Sequence, residues 1–418
     1  MKSIVAWMFC GYVVMLPIVR PFSHAFDRVL IQYADVFFLL IFLLWIGAVL
    51  NSRIELPASP LLYAIAFLLM AFIISTVFSS QPSKSLLKMI GIVYLAAIAM
   101  VAMSISDEAV IFRRIVICWL IGTIVVITGT IVGLAGFVFG FDEKSSNFFL
   151  SHYGSLPTGN YPRIRSFFEN ANMTTNYLNV SLLMVLLAHT LGFLNKTLTI
   201  LLVAGISVAA FFTLSPGIGG LILSASLWIW ATRSKISTRI RNSALIFGSL
   251  LAVFIFFSTI ISPASIFREG GEVRPINEWQ VQPSVRLKVW NNSIDRAFEN
   301  PLVGRGTGTD AAKVYYKTIS GQGQSIRDAH NAWLNVFGQT GCLGLAAFLF
   351  LSFSVWRLLR FQFPNVGESE NIVIALSCAV AGSFFYQNLF GSYEDARHLW
   401  LLFGMLAAFA TARGRIGA

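Results

Sequence analysis

Long apolar runs separated by short polar segments make up most of this chain. A helix needs about 20 predominantly apolar residues to cross a bilayer, and by that measure the pattern predicts about twelve membrane-spanning helices. The expected spans are residues 3–18, 29–50, 58–78, 86–104, 114–138, 167–193, 197–214, 216–232, 243–262, 330–356, 371–390 and 396–412. The seventh and eighth meet at Ser215–Pro216 and could equally form one broken helix. The pattern therefore predicts an all-α integral membrane protein.

The composition of the 418 residues excludes a water-soluble protein of two or three domains. Hydrophobic residues make up 56%, charged residues only 12%, and the mean hydropathy is +0.73, whereas a soluble domain carries about 25% charged residues. The first span has no small-residue cleavage site at its end, so we expect it to be retained. The four cysteines form no CxxC pair, which argues against structural zinc and a disulfide scaffold.

The 30 Lys and Arg outnumber the 19 Asp and Glu and give a formal net charge of +11. In a soluble protein this excess would suggest nucleic-acid binding, but much of it lies in short loops between spans, so we expect no nucleic-acid partner. With the N-terminus in the cytoplasm, thirteen of these basic residues lie in inside segments and five in short outside loops. This positive-inside bias predicts that both termini are cytoplasmic and that the two longest loops face outward.

The two outward loops are residues 139–166 and 263–329, and the longer one divides the chain into two sets of helices. Residues 1–262 hold helices 1–9, residues 263–329 form a large loop, and residues 330–418 hold helices 10–12. The loops contain twelve of the 30 basic residues, and because the positive-inside rule discounts long loops, these charges favour an anionic ligand on the outer side. Apolar residues at helical spacing from Ser284 to Phe298 predict an amphipathic surface helix, and Asp310–Ile319 predicts a shorter second one.

The strongest local pattern is His330-Asn331, nine residues, then Gly341 and Gly344. Eleven residues are close to three helical turns, so these residues are expected on one stripe of the tenth span. With Asp328 as helix cap, His330 would lie in the first turn, where the helix dipole favours a neutral imidazole that can accept a proton. A boundary histidine that only hydrogen-bonds a loop carbonyl explains the pattern equally well.

A second pattern, Arg163 to Asn172, leads into the sixth span. Ser166 and Glu169 have the spacing of a capping box, which would place Arg165 directly before a helix N-terminus, a natural anion site. On spacing alone, an arginine that reaches to lipid headgroups is the favoured alternative.

A third pattern lies in the large outer loop. Ser284 would cap the surface helix and place Arg286 in its first turn. The segment Gly304 to Gly308, which contains Arg305, lacks the Lys-Ser/Thr of a P-loop. We therefore interpret it as a tight turn that returns the chain to the membrane.

Arg165, Arg286 and His330 share a predicted position, at helix starts on the outer side. Helix N-termini with arginines suit a pyrophosphate and need no metal, and no cluster of carboxylates or histidines has metal-ligand spacing. A coupled transporter would carry charged residues near the membrane midplane. Asp35 is the only good candidate and could instead pair with a loop arginine, which argues against transport.

Together these motifs resemble the signature of bacterial O-antigen ligases and the related O-antigen polymerases. His-Asn-x9-Gly-x-x-Gly follows a large outer loop, Arg-x-Phe-Phe-x-Asn-x-Asn occupies 165–172, and Arg-x3-Trp followed by Asn-Pro-Leu-x-Gly-x-Gly occupies 286–306. The order of the motifs and the hydropathy profile also match, so the resemblance extends over the whole chain.

The resemblance implies a metal-independent, inverting glycosyl transfer without a cofactor at the periplasmic face of the bacterial inner membrane. The donor would be an O-antigen glycan on undecaprenyl pyrophosphate, and the acceptor a hydroxyl of lipid A–core. By motif, Arg165 and Arg286 would neutralise the leaving pyrophosphate, and His330 would act as base on the acceptor hydroxyl or orient it. The further residues expected to bind the lipid-linked glycan are Arg163, Arg305 and Asn331.

Alternatives remain at this stage. O-antigen polymerases share the fold, the donor and much of the motif, and differ mainly in the acceptor. A lipid-linked oligosaccharide transporter is the more distant alternative. If His330 is not the base, then Glu169, Asp328 and Asp395 are the remaining carboxylate candidates.

Overall fold

Twelve α-helices form in the part of the chain that the structure describes. The structure is a computed structural model that describes residues 1–20, 23–26, 29–139, 148–153, 161–215, 217–232, 274–276, 279–281, 286–309, 312–317, 323–360, 368–389, 391 and 396–416. The helices are α1 (Lys2–Met15), α2 (Tyr33–Leu50), α3 (Pro60–Val77), α4 (Pro82–Ile105), α5 (Ala109–Val138), α6 (Ala171–Thr190), α7 (Lys196–Phe212), α8 (Ile218–Thr232), α9 (Arg286–Glu299), α10 (Ala332–Arg360), α11 (Glu368–Leu389) and α12 (Arg397–Ile416).

Within the described residues, four antiparallel hairpins lie in the connections between helices and depart from the all-α prediction. They pair β1 (Ser23–Phe26) with β2 (Val29–Gln32), β3 (Leu150–Tyr153) with β4 (Tyr161–Ile164), β5 (Arg274–Ile276) with β6 (Trp279–Val281), and β7 (Val314–Lys317) with β8 (Gly323–Ile326). Each is a sheet of two short strands, so the helices still determine the architecture.

Eleven of the twelve predicted spans coincide with helices, whereas the ninth, residues 243–262, lies outside the described residues. Among the described helices, α2, α3, α4, α5 and α10 are long and apolar enough to cross a membrane. Shorter apolar helices are α1, α7, α8 and the apolar part of α12. Large apolar side chains such as Leu39, Leu43 and Ile90 are more than half exposed, as expected for a surface covered by lipid. The chain therefore has the features of a mostly helical, multi-pass membrane protein.

The two ends of the helix bundle differ in their chemistry. At one end, which we call the Lys2 end, the ammonium of Lys2 lies 2.7 Å from the carboxylate of Glu108 and 3.3 Å from that of Asp107. Arg114 lies over the ring of Trp7 at the same end. The opposite end, which we call the His330 end, carries the α3–α4 turn, the hairpins β1–β2 and β3–β4, and the N-termini of α2, α6, α10 and α12.

Helix α10 is broken at Gly341, which has φ 63° and ψ −159°. The loop that contains Pro301 and Leu302 lies against the break, where Cys342 N–H donates to Pro301 O at 2.7 Å and Leu343 N–H to Leu302 O at 3.2 Å. The expectation that His330, Gly341 and Gly344 share one continuous helical stripe is therefore wrong. Gly341 interrupts the helix, and the loop that contains Pro301 and Leu302 packs against the interruption.

The large loop between α8 and α10 contains the predicted surface helix and lacks the second one. Helix α9 covers Arg286–Glu299, and Val289 on its buried side packs with Val314 and Ala329. The predicted helix at Asp310–Ile319 is wrong, because Val314–Lys317 forms strand β7. Its β-branched and aromatic residues, such as Val314 and Tyr315, favour a strand.

Changing Gly341 to alanine should destabilise the protein. A Cβ atom at this position would lie 2.6 Å from the backbone C and O of Leu302, and its positive φ is strained for any residue with a side chain. We expect a loss of about 1–3 kcal/mol, measured as a lower Tm in detergent. Gly91 in α4 has nothing within 4 Å of an added Cβ, so Gly91→Ala is the matched control. Equal Tm values for the two variants would show that the break at Gly341 is not required.

Candidate functional site

A cavity of about 150 Å³ opens at the His330 end of the bundle. Its lining combines the connections that enter and leave six helices, namely α1, α2, α6, α10, α11 and α12. The polar lining residues are Gln32, Asn170, Asn172, Asn176, Tyr177, Asp328, His330, Tyr386, Gln387, Arg397 and His398. The apolar ones include Leu16, Val19, Phe168 and Met173. The cavity therefore brings together the first and second sequence motifs, which lie more than 150 residues apart in the chain.

Four helices begin at this cavity. Gln32 and Asn170 are the N-cap residues of α2 and α6, His330 directly precedes α10, and Arg397 is the first residue of α12. The first N–H groups of each helix have no acceptor within the helix backbone, and each N-terminus carries about half a positive charge. Their convergence makes the cavity electrostatically suited to an anion such as a phosphate.

His330 lies before α10 and not in its first turn. Its backbone is left-handed, with φ 49°, and its N–H donates to Asp328 Oδ1 at 2.5 Å. Asn335 reinforces this turn, because its Nδ2 donates to Asp328 Oδ1 at 2.7 Å and its Oδ1 accepts from Ala329 N–H at 2.7 Å. The imidazole is thus held at the cavity by a hydrogen-bonded turn, with its Nδ1 3.9 Å from the Asp328 carboxylate.

Asn331 is the residue that caps α10. Its Oδ1 accepts from Trp333 N–H at 3.0 Å and from Leu334 N–H at 3.2 Å. The prediction that Asp328 caps the helix is therefore wrong. Asp328 instead shapes the turn around His330. Asn331 therefore has a capping role in the structure. Its expected role in substrate binding stays a prediction.

Arg163 and Arg165 lie beside the cavity and are not part of its lining. Arg163 donates through Nη2 to Asn172 Oδ1 at 2.8 Å and through Nε to Thr213 O at 3.0 Å. Since Asn172 lines the cavity, Arg163 fixes the orientation of a lining amide. Arg165 donates to Phe148 O and Glu169 O, both at 3.3 Å.

The predicted capping box before α6 is wrong. Ser166 has φ 50° and donates through Oγ to Val126 O at 3.0 Å, while Asn170 Oδ1 accepts from Met173 N–H at 2.9 Å and caps the helix. Burial, together with the nearby Arg20, lowers the pKa of the Arg165 guanidinium from its ordinary value, and Glu169 opposes that shift. Arg165 is therefore half-buried beside a second cation, an arrangement that an added anion would stabilise.

The two arginines of the third motif, Arg286 and Arg305, lie in different parts of the structure. The side chain of Arg286 lies outside the described residues, but its backbone opens α9, where Trp290 Nε1 donates to Ala329 O at 2.9 Å. The fourth residue after Arg286 on α9 therefore contacts the residue that precedes His330. Arg305 lies elsewhere. It forms an ion pair with Glu299 and lines a different cavity, beside the α3–α4 turn.

A comparison with protein-family models identifies one segment of this chain. The O-antigen ligase model matches residues 197–349. This segment is similar to the O-antigen ligase family. The match supports the resemblance of the motifs to O-antigen ligases and polymerases. No curated protein matches the chain.

The O-antigen ligase segment extends from the start of α7 into α10 and contains Arg286, Arg305, His330 and Asn331. Members of this family are membrane glycosyltransferase-like enzymes. The other side of the cavity comes from outside the matched segment, since α1, α2, α6, α11 and α12 line it. The candidate site is therefore assembled from the matched segment and from helices on both sides of it in the chain.

Arg397 lines the cavity, although the sequence motifs predicted no role for it. Its Nε and Nη2 each lie 2.7 Å from a different oxygen of Asp35, and both side chains are 15% exposed. Tyr94 OH also donates to Asp35 Oδ1, at 2.6 Å. Asp35 pairs with an arginine as expected, but this arginine is the first residue of the last helix and not a loop residue. The sequence signal for this ion pair is that Asp35 and Arg397 each lie near the end of a predicted span. Charged residues in such positions need partners.

His398 is a second imidazole in the lining of the cavity. Its Nε2 lies 3.5 Å from Ser383 Oγ, which donates to Asn176 Oδ1 at 3.1 Å. Of the candidate carboxylates, Asp328 lines the cavity, Glu169 lies beside Arg20 at 3.9 Å, and Asp395 lies outside the described residues. Within the described parts of the chain, no group of three or more His, Cys, Asp or Glu side chains has the geometry to hold a metal ion.

Proposed function

We propose that this protein is an O-antigen ligase that transfers an O-antigen polysaccharide from undecaprenyl pyrophosphate to a hydroxyl of lipid A–core. The family of residues 197–349 supports a glycan transferase. The observation that carries the proposal is the meeting of four helix N-termini, Arg397 and His330 at one cavity. An anionic leaving group and a proton acceptor are the two requirements of this transfer, and this lining can meet both.

In the proposed orientation the His330 end faces the periplasm of the bacterial inner membrane. The Lys2 end would then face the cytoplasm, in agreement with the positive-inside bias, since Lys2, Arg53, Arg113 and Arg114 are at the starts and ends of helices there. The lipid chain of the donor and the lipid acceptor could both reach the cavity from the outer leaflet.

The pyrophosphate of the donor would bind where positive charge converges. The helix N-termini and Arg397 face the cavity, Arg165 and Arg163 lie directly behind its α6 side, and Arg286 begins the helix that contacts Ala329. Guanidinium groups can bind two phosphate oxygens at once. We infer that these cations stabilise the charge that grows on the pyrophosphate as its bond to the sugar breaks, without a metal or cofactor.

His330 would act on the acceptor. In an inverting transfer the acceptor oxygen attacks the anomeric carbon, its proton passes to His330, and undecaprenyl pyrophosphate leaves from the opposite side. A neutral imidazole can accept that proton. Asp328 supports the role in two ways, because it accepts the His330 N–H and places a carboxylate 3.9 Å from the ring, where it would stabilise the imidazolium.

An O-antigen polymerase is the second candidate, because it uses the same donor and differs in the acceptor. A lipopolysaccharide gel from a deletion strain separates the two functions. For a ligase we expect loss of every O-antigen-capped band, with lipid-linked polymer accumulating in the membrane. Lipid A–core capped with a single repeat would contradict ligation and support polymerisation.

Replacing Arg286 with lysine should slow the transfer, although the charge is kept. An ammonium is a point charge and cannot bind two phosphate oxygens in a fork. Because a charge-assisted hydrogen bond contributes about 1.5–3 kcal/mol, we expect roughly a ten- to hundredfold lower rate at saturating acceptor. Arg165→Lys should have an effect in the same direction.

The matched control is Arg53→Lys, the same change at the Lys2 end, where the Arg53 guanidinium contacts Met1. It should leave the rate within about twofold, since exposed surface contacts contribute little. Near wild-type rates for both Arg286→Lys and Arg165→Lys would mean that these residues only orient the protein in the membrane.

A further inference from the structure

Gln387 lines the cavity at the His330 end and has a side-chain carbonyl oxygen that the fold does not satisfy. The residue lies near the end of α11 and is 2% exposed. Its Oε1 is buried and has no hydrogen-bond partner within the described part of the chain. A buried acceptor without a donor destabilises a protein, and native structures contain few of them. Because Gln387 lines the cavity, a molecule bound there can supply the missing donor.

The phosphates of the proposed donor cannot be the partner of this oxygen. The oxygens of a pyrophosphate accept hydrogen bonds and do not donate them, so two acceptors would face each other. The helix N-termini and Arg397 are the groups that suit the anion. The partner of Gln387 Oε1 must instead carry O–H or N–H groups, as the hydroxyls and amides of a sugar do.

A hydrogen-bonded chain fixes two further polar residues of the lining, Asn176 and His398. Ser383 Oγ donates to Asn176 Oδ1 at 3.1 Å, and His398 Nε2 lies 3.5 Å from the same Oγ. Because Ser383 has one hydroxyl hydrogen and gives it to Asn176, its oxygen is left to accept from His398 Nε2. A neutral His398 then keeps Nδ1 as an acceptor, and the amide of Asn176 keeps two N–H donors. These bonds determine which atoms of the two residues remain available to a ligand.

The available groups of the lining are neutral and of mixed type. Gln387 Oε1 and His398 Nδ1 are acceptors, and Asn176 Nδ2 is a donor. Phe168 and Tyr386 add aromatic side chains to the same lining. A sugar ring has the matching chemistry, since its hydroxyls both donate and accept hydrogen bonds while its C–H faces are apolar. The lining therefore favours a saccharide next to the groups that suit an anion.

The neutral groups lie close to the groups proposed to bind pyrophosphate. Asn170 caps α6, and Asn176 follows about 9 Å further along the same helix. Arg397 and His398 are consecutive residues of α12. A group held by Asn176 and His398, while the phosphates stay at the helix N-termini, is near enough to be bonded to those phosphates. In the proposed donor, that group is the first sugar of the glycan.

We propose that Gln387, Asn176 and His398 form a saccharide subsite that binds the sugar bonded to the pyrophosphate of the donor. This inference rests on the proposed function. Gln387 Oε1 accepts a hydrogen bond from a hydroxyl or an amide N–H of that sugar, while Asn176 and His398 bind its other polar groups. The subsite selects the donor and takes no part in the proton transfer at His330.

The test measures equilibrium binding to the full-length protein in nanodiscs, without acceptor, so that it does not depend on transfer. The two ligands are undecaprenyl pyrophosphate that carries the native glycan and undecaprenyl pyrophosphate without a sugar. Wild type should bind the glycan-bearing lipid at least about tenfold more tightly. Gln387→Met removes the carbonyl and keeps a side chain of similar size. It should reduce that preference by roughly three- to tenfold and bind the sugar-free lipid as wild type does.

Asn388→Leu is the matched control. Asn388 is the next residue of α11, its Oδ1 also has no partner among the described residues, and it lies outside the cavity lining. This variant should keep the wild-type preference. Without ligand, Gln387→Met should have the same Tm as wild type or a higher one, because it removes an unpaired buried acceptor. A lower Tm would show that a partner within the protein holds the side chain, which would overturn the inference.

Three binding results would also overturn it. A preference that survives in Gln387→Met would mean that water satisfies the carbonyl oxygen. An equal loss of affinity for both lipids would mean that the variant changes the shape of the cavity. Weaker binding of lipid A–core, measured separately without donor, together with an unchanged donor preference would mean that the subsite belongs to the acceptor.

Failure of the proposed function gives a different result. Donor binding that depends on the glycan and on Gln387, without any transfer to lipid A–core, would contradict the ligase assignment and leave the subsite standing. Transfer to lipid A–core by a protein that binds the two lipids equally would leave the ligase assignment and remove the subsite.

Discussion

Replacing His330 with alanine should abolish glycan transfer while the protein remains folded and binds the lipid-linked donor. The cations proposed for the pyrophosphate are unaffected by the change, whereas the proton acceptor is lost. General-base steps contribute about 10²–10⁴-fold, so the rate should fall by that factor. The measurement is the rate of transfer by purified protein at saturating donor and acceptor, with donor binding determined in parallel.

Glutamine at position 330 tests the role of the imidazole more sharply. It can donate and accept a hydrogen bond but cannot take up a proton at working pH, so His330→Gln should be nearly as inactive as His330→Ala. His189→Ala at the Lys2 end, where the ring nitrogen Nδ1 lies 3.1 Å from Leu194 O, is the matched control and should stay active. If His330→Gln kept most of the activity, His330 would position the acceptor and Asp328 would become the preferred base.

Replacing Arg397 with alanine should have the largest effect on stability. The change leaves the Asp35 carboxylate, which is 15% exposed, without its bidentate partner, and breaking a buried ion pair from one side costs about 3–5 kcal/mol. We expect a markedly lower Tm in detergent and poor expression. Lys2→Ala is the control, because its more exposed pair with Glu108 at the Lys2 end should contribute only about 0–1 kcal/mol.

The double variant Asp35→Asn/Arg397→Gln separates the structural role of Arg397 from its role at the cavity. It removes both charges and keeps hydrogen-bonding groups, so much of the stability should return. Donor binding should remain weakened, because the cavity has lost a cation. A double variant that is stable and also binds donor like wild type would restrict Arg397 to a structural role.

The sequence allowed the helices to be predicted because each span is a local property of about 20 residues. Helix α9 was also predictable, since its apolar residues recur at helical spacing. The residues at which the helices begin were not predictable. Asp328 and Asn331 are both good capping residues, and only the turn held by Asn335 decides that Asn331 caps α10. The break at Gly341 depends on the docking of Pro301 and Leu302, which no local pattern indicates.

The candidate site was predictable in its motifs and not in its arrangement. His330 and the segment from Phe168 to Asn172 meet at the cavity, whereas the predicted Arg163 and Arg165 are not in its lining. Arg305 does not, because the glycines around it place the loop against Gln339. The pairing of Asp35 with Arg397 joins the two ends of the chain, and a contact between residues so distant in sequence follows only from the folded bundle.

The most direct test of the account is a reconstituted transfer reaction in the presence of EDTA. Purified protein would be given undecaprenyl-pyrophosphate-linked O-antigen and lipid A–core, and the products would be separated by gel. The account predicts that polysaccharide becomes attached to lipid A–core without divalent ions, and that His330→Ala forms none. Strict dependence on added magnesium or manganese, or donor glycan that lengthens while lipid A–core stays unmodified, would contradict it.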